Sequence, residues 1–194
     1  MTPTGLPRWP DPQPSYGHVA LRAVSERDIV MAQELSMDPY VPQTGSLPLN
    51  ATVSQARDWV RRQQNRHAEG SGFSFTIATS ETAEPVGHCG LWLRELDEGR
   101  ATAGYAIAPS CRGHGYAADA LRALTDFGWT IPGLFRIALF IEPSNLGSVR
   151  TAERAGYGRE GVLSSYQTIG GRRRDMLVYA AIRPHGERRS TDEG

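Results

Sequence analysis

Lysine is absent from the sequence, a bias that we attribute to genome composition rather than to chemistry. All 21 basic residues are arginines, and they are balanced by 21 acidic residues, so the formal net charge is zero. A balanced chain lacks the excess of positive charge with which proteins attract nucleic-acid phosphates or anionic membrane surfaces. We therefore expect neither a nucleic acid nor a membrane among its partners.

Cysteine and long apolar runs are also scarce. The two cysteines, Cys89 and Cys111, form no CxxC pair, which argues against a disulfide framework and against a cysteine-based metal site. No stretch of 18 apolar residues occurs, and the N-terminus lacks the charged and apolar segments of a signal peptide. These features predict a cytoplasmic protein with no bound metal.

Proline marks one end of the predicted folded region. The first 17 residues contain Pro3, Pro7, Pro10, Pro12 and Pro14. Because this density blocks helix formation and strand pairing alike, residues 1–17 are predicted to form an extended arm. Residues 183–194 are polar and charged, which predicts a solvated tail. The residues between them, 18–182, suit a single domain.

Hydrophobic periodicity within this domain predicts a mixed α/β fold, in which helices cover a mixed sheet. Alternating or continuous apolar runs predict seven strands, at 18–24, 73–79, 86–93, 101–108, 135–141, 161–168 and 175–182. Apolar residues spaced by three and four predict four helices, at 25–37, 52–70, 116–131 and 145–156. Capping boxes at Ser25/Asp28 and Thr52/Gln55 support the starts of the first two helices.

A glycine-bearing loop between a predicted strand and a predicted helix is the most informative segment. It reads Arg112-Gly113-His114-Gly115-Tyr116-Ala117. Glycine allows a phosphate to approach the backbone closely, and the free N–H groups and dipole of the following helix favour negative charge there. The loop therefore indicates a pyrophosphate site, although an ordinary turn before a helix would contain the same residues.

A dinucleotide-binding domain is one specific interpretation of this loop. Gly113-x-Gly115-x-x-Ala118 satisfies the dinucleotide fingerprint, and Glu142 ends the next strand, where an acidic residue would bind a ribose. However, four residues separate the strand from the first glycine, and a meander of about a hundred residues precedes it, so the parallel βαβ opening is missing.

A second interpretation comes from two motifs in a fixed order. Arg112, Gly115 and Ala117 match the Gln/Arg-x-x-Gly-x-Gly/Ala loop of the GNAT acetyltransferases, and Asn145-x-x-Ser148 followed by Gly156-Tyr157 resembles a later block of that family. The chain resembles the family from about residue 18 to 182, and it is most similar to bacterial RimJ/RimL-type N-acetyltransferases. The resemblance implies a mostly antiparallel mixed sheet of seven strands with a central splayed parallel pair, flanked by about four helices.

The resemblance also implies that acetyl-CoA is the co-substrate and that no metal is needed. In the family, the pantetheine arm lies between two parallel strands that splay apart, here residues 101–108 and 135–141. Backbone groups of residues 106–108 would bind the pantetheine and thioester, and residues 112–117 the pyrophosphate. The cofactor-binding residues implied are Ala106, Ile107, Ala108, Arg112, Gly113, His114, Gly115, Tyr116, Ala117, Asn145 and Ser148.

Two residues are candidates for catalysis. Ser148 resembles the family hydroxyl near the sulfur, where it would donate a hydrogen bond to the leaving thiolate. Glu142, at the end of the strand 135–141, is a candidate base, although its spacing from Asn145 differs from that of the family glutamate. Tyr105 and His88 could reach the cleft, but packing roles suit them better. Ordered water is an alternative proton acceptor.

The predicted reaction is direct attack of a primary amine on the thioester. A site without a strong base suits a protein or peptide N-terminus, since the α-amine pKa is about 8 and that of lysine about 10.4. The alternatives are a small-molecule amine such as an antibiotic or polyamine, and a non-catalytic acyl-CoA-binding module. Residues 38–49 and the first two helices are expected to select the acceptor, and a homodimer is the assembly expected of the family.

Overall fold

The computed structural model describes residues 6–184, and in this range it shows the expected mixed α/β architecture. Eight strands form one sheet in the order β1-β2-β3-β4-β5-β6-β8-β7. The strands are β1 (Ser15–Tyr16), β2 (Val19–Ala23), β3 (Gly72–Thr79), β4 (Pro85–Glu95), β5 (Arg100–Ile107), β6 (Arg136–Ile141), β7 (Gly158–Ile169) and β8 (Arg172–Ile182). The helices are α1 (Ile29–Met37), α2 (Val41–Thr44), α3 (Val53–Asn65), α4 (Tyr116–Thr130) and α5 (Leu146–Arg154).

The sheet has one strand more than the seven predicted, because the proline-rich arm pairs at its end. Ser15 and Tyr16 lie after Pro14, the last of the arm's prolines, so their N–H groups are available and they pair antiparallel with β2. The prediction that the whole arm avoids pairing is therefore wrong at these two residues. Residues 1–5 of the predicted arm and 185–194 of the predicted tail lie outside the described range.

The middle of the arm packs against the domain. The Trp9 ring lies 4.9 Å from that of Phe75 and 5.7 Å from that of Phe73. His67 contributes a hydrogen bond of 2.8 Å between its Nε2 atom and the carbonyl oxygen of Pro7. The arm thus covers apolar surface that a strictly solvated segment would leave exposed.

Each face of the sheet has its own core. One face packs under α4, where Leu121 and Leu124 are fully buried against β3 and β4. The other packs under α1 and α3 around Leu35, Trp59 and Val60. Between these two cores, in the middle of the sheet, strands β5 and β6 separate.

A buried ion pair fixes the start of α1. Asp28 is fully buried, and its carboxylate accepts hydrogen bonds from Arg22 at 2.6 Å, Thr76 at 2.7 Å and the Ser25 backbone at 2.8 Å. Burial by itself would raise the pKa of Asp28, but these bonds outweigh it and hold the pKa below its ordinary value. The capping box predicted at Ser25 is therefore part of a larger network.

None of the helices in residues 6–184 is both long and apolar enough to cross a membrane. That part of the chain also contains no cluster of three or more His, Cys, Asp or Glu side chains arranged to hold a metal ion.

Candidate active site

The central parallel pair of strands splays apart, as the family resemblance implies. Strands β5 and β6 pair only where Arg100, Ala101 and Thr102 lie opposite residues 136–138. Beyond Thr102, β5 remains paired with β4 and β6 remains paired with β8. A gap therefore opens in the middle of the sheet, and its walls are two strand edges with unpaired backbone groups.

The register of β5 decides which of its backbone groups face this gap. Ala108 donates its backbone N–H to the carbonyl oxygen of Val86 at 2.9 Å, so it is bonded to the β4 side. Because backbone groups alternate in direction along an antiparallel strand, Ala106 also faces β4, whereas Tyr105 and Ile107 face the gap. The structure therefore turns the backbone groups of Ala106 and Ala108 away from the proposed pantetheine position, and Tyr105 replaces them.

A cavity of about 1160 Å³ follows the gap from the glycine-bearing loop to Trp92. Its walls come from the α1–α2 connection, β5, β6, α5 and β8. The predicted site residues that line it are Ala106, Ile107, Arg112, Gly113, Gly115, Tyr116, Ala117, Glu142, Asn145 and Ser148. Ala108 and His114 lie outside its wall, and the His114 ring instead stacks on Tyr116 at 5.4 Å.

The glycine-bearing loop forms a cradle of backbone N–H groups at the start of α4. Gly113 and Gly115 have φ angles of +87° and +84°, which favour glycine, and no atom lies within 4 Å of a Cβ placed on either. Within residues 6–184, no acceptor faces the backbone N–H groups of residues 113–117. Free donors and open space at the positive end of a 15-residue helix fit a pyrophosphate.

Arg112 connects this loop to the α1–α2 connection. Its Nη2 atom forms an ion pair with Asp38 at 2.7 Å, and its Nε donates to the Ile107 carbonyl oxygen at 3.1 Å. Burial opposes ionisation of Asp38, but backbone N–H groups of Val41 and Tyr40 and the Arg112 guanidinium together hold its pKa below the ordinary value. The guanidinium therefore anchors the loop to the α1–α2 connection and to the end of β5.

The start of α5 carries the second family motif. The Asn145 side chain caps the helix by accepting a hydrogen bond from the Ser148 backbone N–H at 3.1 Å. The Tyr105 hydroxyl donates to the Ser148 carbonyl oxygen at 3.2 Å, and burial raises the pKa of Tyr105. The Ser148 hydroxyl lies beside the Tyr105 hydroxyl in the cavity wall.

Glu142 lies beside this helix and is held by two neighbours. It is 9% exposed, and its Oε1 atom lies 3.4 Å from Nε of Arg174. The Tyr40 hydroxyl lies close to Glu142 and Asn145. Burial, together with the charge of Glu142, raises the pKa of Tyr40. The tyrosine is therefore a protonated donor at neutral pH.

Tyr40 and Arg174 are site residues that the sequence reasoning did not identify. Tyr40 belongs to the segment expected to select the acceptor, but nothing in that segment's composition distinguishes it. Arg174 is one of three consecutive arginines, which predict the exposed tip of a hairpin. Its position opposite Gln167 in the β7–β8 pairing brings it to the cavity wall.

His88 lies in the cavity wall on β4, the strand that pairs with β5. Its Nε2 atom is 3.0 Å from the Ser74 hydroxyl, which donates to Oε1 of Gln63 at 2.9 Å. Burial, with a smaller contribution from Arg66, lowers the pKa of His88, so the imidazole is neutral at physiological pH. The neutral imidazole donates its one N–H to the Ser74 hydroxyl, so His88 stabilises the cavity wall and carries no charge.

Comparison with known proteins agrees with this geometry. Residues 18–158 match the family model described as an acetyltransferase (GNAT) domain. The uncharacterized N-acetyltransferase p20 of Bacillus licheniformis is 30% identical over 165 residues, which cover 85% of this chain and 93% of that protein.

Solved structures extend the comparison. Mycobacterium smegmatis RimJ in complex with CoA-disulfide superposes with a TM-score of 0.75 at 26% identity, covering 90% of this chain and 88% of that one. Spermidine N-acetyltransferase from Vibrio cholerae, in complex with CoA and spermine, has a TM-score of 0.68 at 19% identity, covering 85% and 95%. The second likeness shows the fold alone. With the splayed strands, the phosphate cradle and the family match together, the chain belongs to the GNAT acetyltransferase family and is an N-acetyltransferase.

Proposed function

We propose that this enzyme transfers the acetyl group of acetyl-CoA to the α-amine of a protein or peptide N-terminus. The observation that carries the cofactor assignment is the cradle of free N–H groups at residues 113–117, located at one end of the gap between β5 and β6. We assign the pyrophosphate to the cradle and the pantetheine arm to the gap. The amides of the arm would form hydrogen bonds with backbone groups of Tyr105 and Ile107.

Ser148 is the proposed donor to the departing sulfur. The amine nitrogen forms a bond to the thioester carbonyl carbon, the C–S bond breaks, and the sulfur leaves as a thiolate. A thiol has a pKa of about 8.5, so this leaving group needs a hydrogen bond rather than a strong acid. Glu142, or water ordered by Glu142 and Tyr40, is the proposed acceptor of the amine proton.

The charges of the cavity wall favour an α-amine over a polyamine. Five arginines line the cavity, namely Arg66, Arg112, Arg150, Arg154 and Arg174, against the two carboxylates Asp38 and Glu142. Both carboxylates are already paired with arginine. A polycationic acceptor would therefore find no unpaired carboxylate among the described residues of the cavity wall to bind it.

The acceptor's own protonation state supports the same choice. An α-amine with a pKa of about 7.7 to 8.0 is roughly a tenth to a fifth neutral at pH 7, whereas a lysine-like amine is neutral in only about one molecule in a few thousand. With His88 neutral and both carboxylates in ion pairs, the wall offers little to remove a proton from a strongly basic amine. Small-molecule amines of low pKa are the second candidate class.

The dinucleotide alternative is disfavoured by the strands that precede the loop. Strands β3, β4 and β5 are antiparallel, and a turn of 3-10 helix at Pro109–Cys111 separates β5 from the glycines. The parallel strand–loop–helix opening of a dinucleotide site is not built here.

Intact-mass measurement tests the proposal. The enzyme and acetyl-CoA are incubated with a library of unblocked peptides, the same peptides with blocked N-termini, and a panel of polyamines and amino sugars. We expect acetylation of unblocked peptides only, at a rate that rises with pH to about 8 as the α-amine becomes neutral. Turnover of polyamines or amino sugars alone would overturn the acceptor assignment, and CoA binding without turnover of any amine would indicate a non-catalytic module.

A further inference from the structure

The far end of the cavity contains an aromatic platform built on two glycines. A Cβ atom on Gly90 would lie 3.2 Å from the Trp92 ring, and one on Gly104 would lie 3.0 Å from it. Both glycines belong to strands paired beneath the indole. Their missing side chains therefore leave the space that Trp92 occupies against the sheet. Trp92 also lines the cavity, so packing against the sheet is not its only contact.

Arg66 lies on this platform without an acidic partner. Its guanidinium carbon is 5.1 Å from the centre of the Trp92 ring, and its Nη2 atom donates to Oε1 of Gln63 at 2.8 Å. Its Nε is buried and has no hydrogen-bond partner. Among residues 6–184, no carboxylate forms an ion pair with Arg66.

One like charge and one opposite charge act on Arg66. Burial and the nearby Arg94 lower the pKa of Arg66, and only Glu69 acts in the opposite direction. Partial burial of a cation that has no acidic partner raises the free energy of the folded protein. A ligand carboxylate would offset this cost by forming a charge-assisted hydrogen bond. The two acidic residues of the cavity wall cannot supply it, because arginines already hold them.

The platform is well separated from the phosphate cradle. The cavity follows β5 from Ile107, next to the loop, to Thr102, which pairs with Trp92. Five residues of strand span roughly 17 Å. An acceptor that reaches the thioester between these ends and extends along β5 would bring its other groups to Arg66 and Trp92.

We propose that Arg66 and Trp92 form a carboxylate-binding subsite for the acceptor, so that the enzyme prefers amines that carry a carboxylate near the reacting nitrogen. This inference rests on the proposed function. The carboxylate comes either from an acidic side chain next to the N-terminal residue of a peptide or from the α-carboxylate of a free amino acid. The planar fork of arginine, with the flat face of tryptophan beneath it, suits a carboxylate from either source.

Steady-state kinetics on matched acceptors test the subsite. One pair is Ser-Asp and Ser-Asn at the start of otherwise identical peptides, and the other is free serine and serinamide. We expect kcat/KM, calculated on the concentration of neutral amine in each acceptor, to be about 10- to 100-fold higher for the acidic member of one pair, as a hydrogen bond to a charged group predicts. Preference within the peptide pair shows that the carboxylate belongs to a peptide side chain. Preference within the amino-acid pair shows that it belongs to a free amino acid, a result that refutes a peptide as the acceptor and leaves the carboxylate-binding subsite in place.

Variants separate Arg66 from general effects of charge. R66Q should abolish the preference by lowering kcat/KM for the acidic acceptor much more than for the neutral one, and R66K should restore part of it. R61Q removes an exposed arginine of α3 that lies outside the cavity and should keep the full preference. Equal kcat/KM for both members of both pairs, or equal losses for acidic and neutral acceptors in R66Q, would refute the subsite.

Two further measurements keep the test decisive. If R66Q does not fold, as judged by its melting curve, R66K and the comparison of acceptors on the unmodified enzyme carry the test. If no amine is acetylated, the proposed function fails, and the subsite is then tested by binding alone. Calorimetry with the CoA-loaded protein measures the affinities of two pairs of ligands, the N-acetylated Ser-Asp and Ser-Asn peptides, and N-acetylserine and N-acetylserinamide. Equal affinities within both pairs would then refute the subsite.

Discussion

Substitution of Gly115 by glutamate tests the pyrophosphate cradle most directly. A side chain at this position enters open space, because no atom lies within 4 Å of its Cβ. The folded protein therefore loses only the cost of a non-glycine residue at φ +84°, about 1 to 2 kcal/mol. Bound coenzyme A is affected far more, since the new carboxylate would lie beside the diphosphate. At about 6 Å and an effective dielectric constant of about 20, one pair of like charges repels by about 2.8 kcal/mol.

That repulsion corresponds to a loss of about 100-fold in affinity, which isothermal titration calorimetry with coenzyme A measures. Gly133 provides a matched control. Its φ is +78°, its Cβ position is also open, and it follows the far end of α4, about 22 Å along the helix. At physiological ionic strength a charge there is screened. We expect G133E to bind coenzyme A normally. Unchanged affinity in G115E, or equal losses in both variants, would refute the location of the cradle.

Three other substitutions test the catalytic groups and the fold. Ser148→Ala should lower kcat about 10- to 100-fold and the Kd for acetyl-CoA less than threefold, because the backbone bond to Asn145 remains; equal effects on both would make the serine a binding residue only. Glu142→Gln should lower kcat at least about tenfold with unchanged acetyl-CoA affinity, and an unchanged pH–rate profile would assign proton acceptance to water alone. Asp28→Asn should lower the free energy of unfolding at pH 7 by about 3 to 5 kcal/mol, since Arg22 loses its buried partner. Because the folded-state pKa of Asp28 lies below its unfolded value, its contribution is present above about pH 4 and is lost as the pH falls through the folded pKa. Urea titrations at pH 3, 5 and 7 should therefore give a shallower pH dependence for the variant, and parallel curves would contradict this assignment.

Features that depend on neighbouring residues could be predicted from the sequence. The phosphate cradle is one, because two glycines with an intervening residue and a helix start require no distant contact to adopt their conformation. The N-cap at Asn145 and the capping box at Thr52 are others, since each bond joins residues three apart. The assignment to the family depended on these local motifs and their order.

The register of strands and the groups that line the cavity could not be read in this way. A shift of one residue would turn the backbone groups of Ala106 toward the gap and those of Tyr105 away from it, and the register of β5 is fixed by its pairing with β4, which is distant from the loop motif. Tyr40, Arg66 and Arg174 reach the cavity from segments that are distant in sequence.

The sequence by itself determined that a glycine-bearing loop precedes a helix and that a mixed sheet of this family surrounds it. Only the tertiary structure decided which strand edges are open, which carboxylates are already paired, and that Arg66, which has no ion-pair partner in residues 6–184, lies on Trp92 at the end of the cavity. The physical reason is that backbone conformation is set over a few residues, whereas the pairing of charges depends on packing between segments that are far apart along the chain.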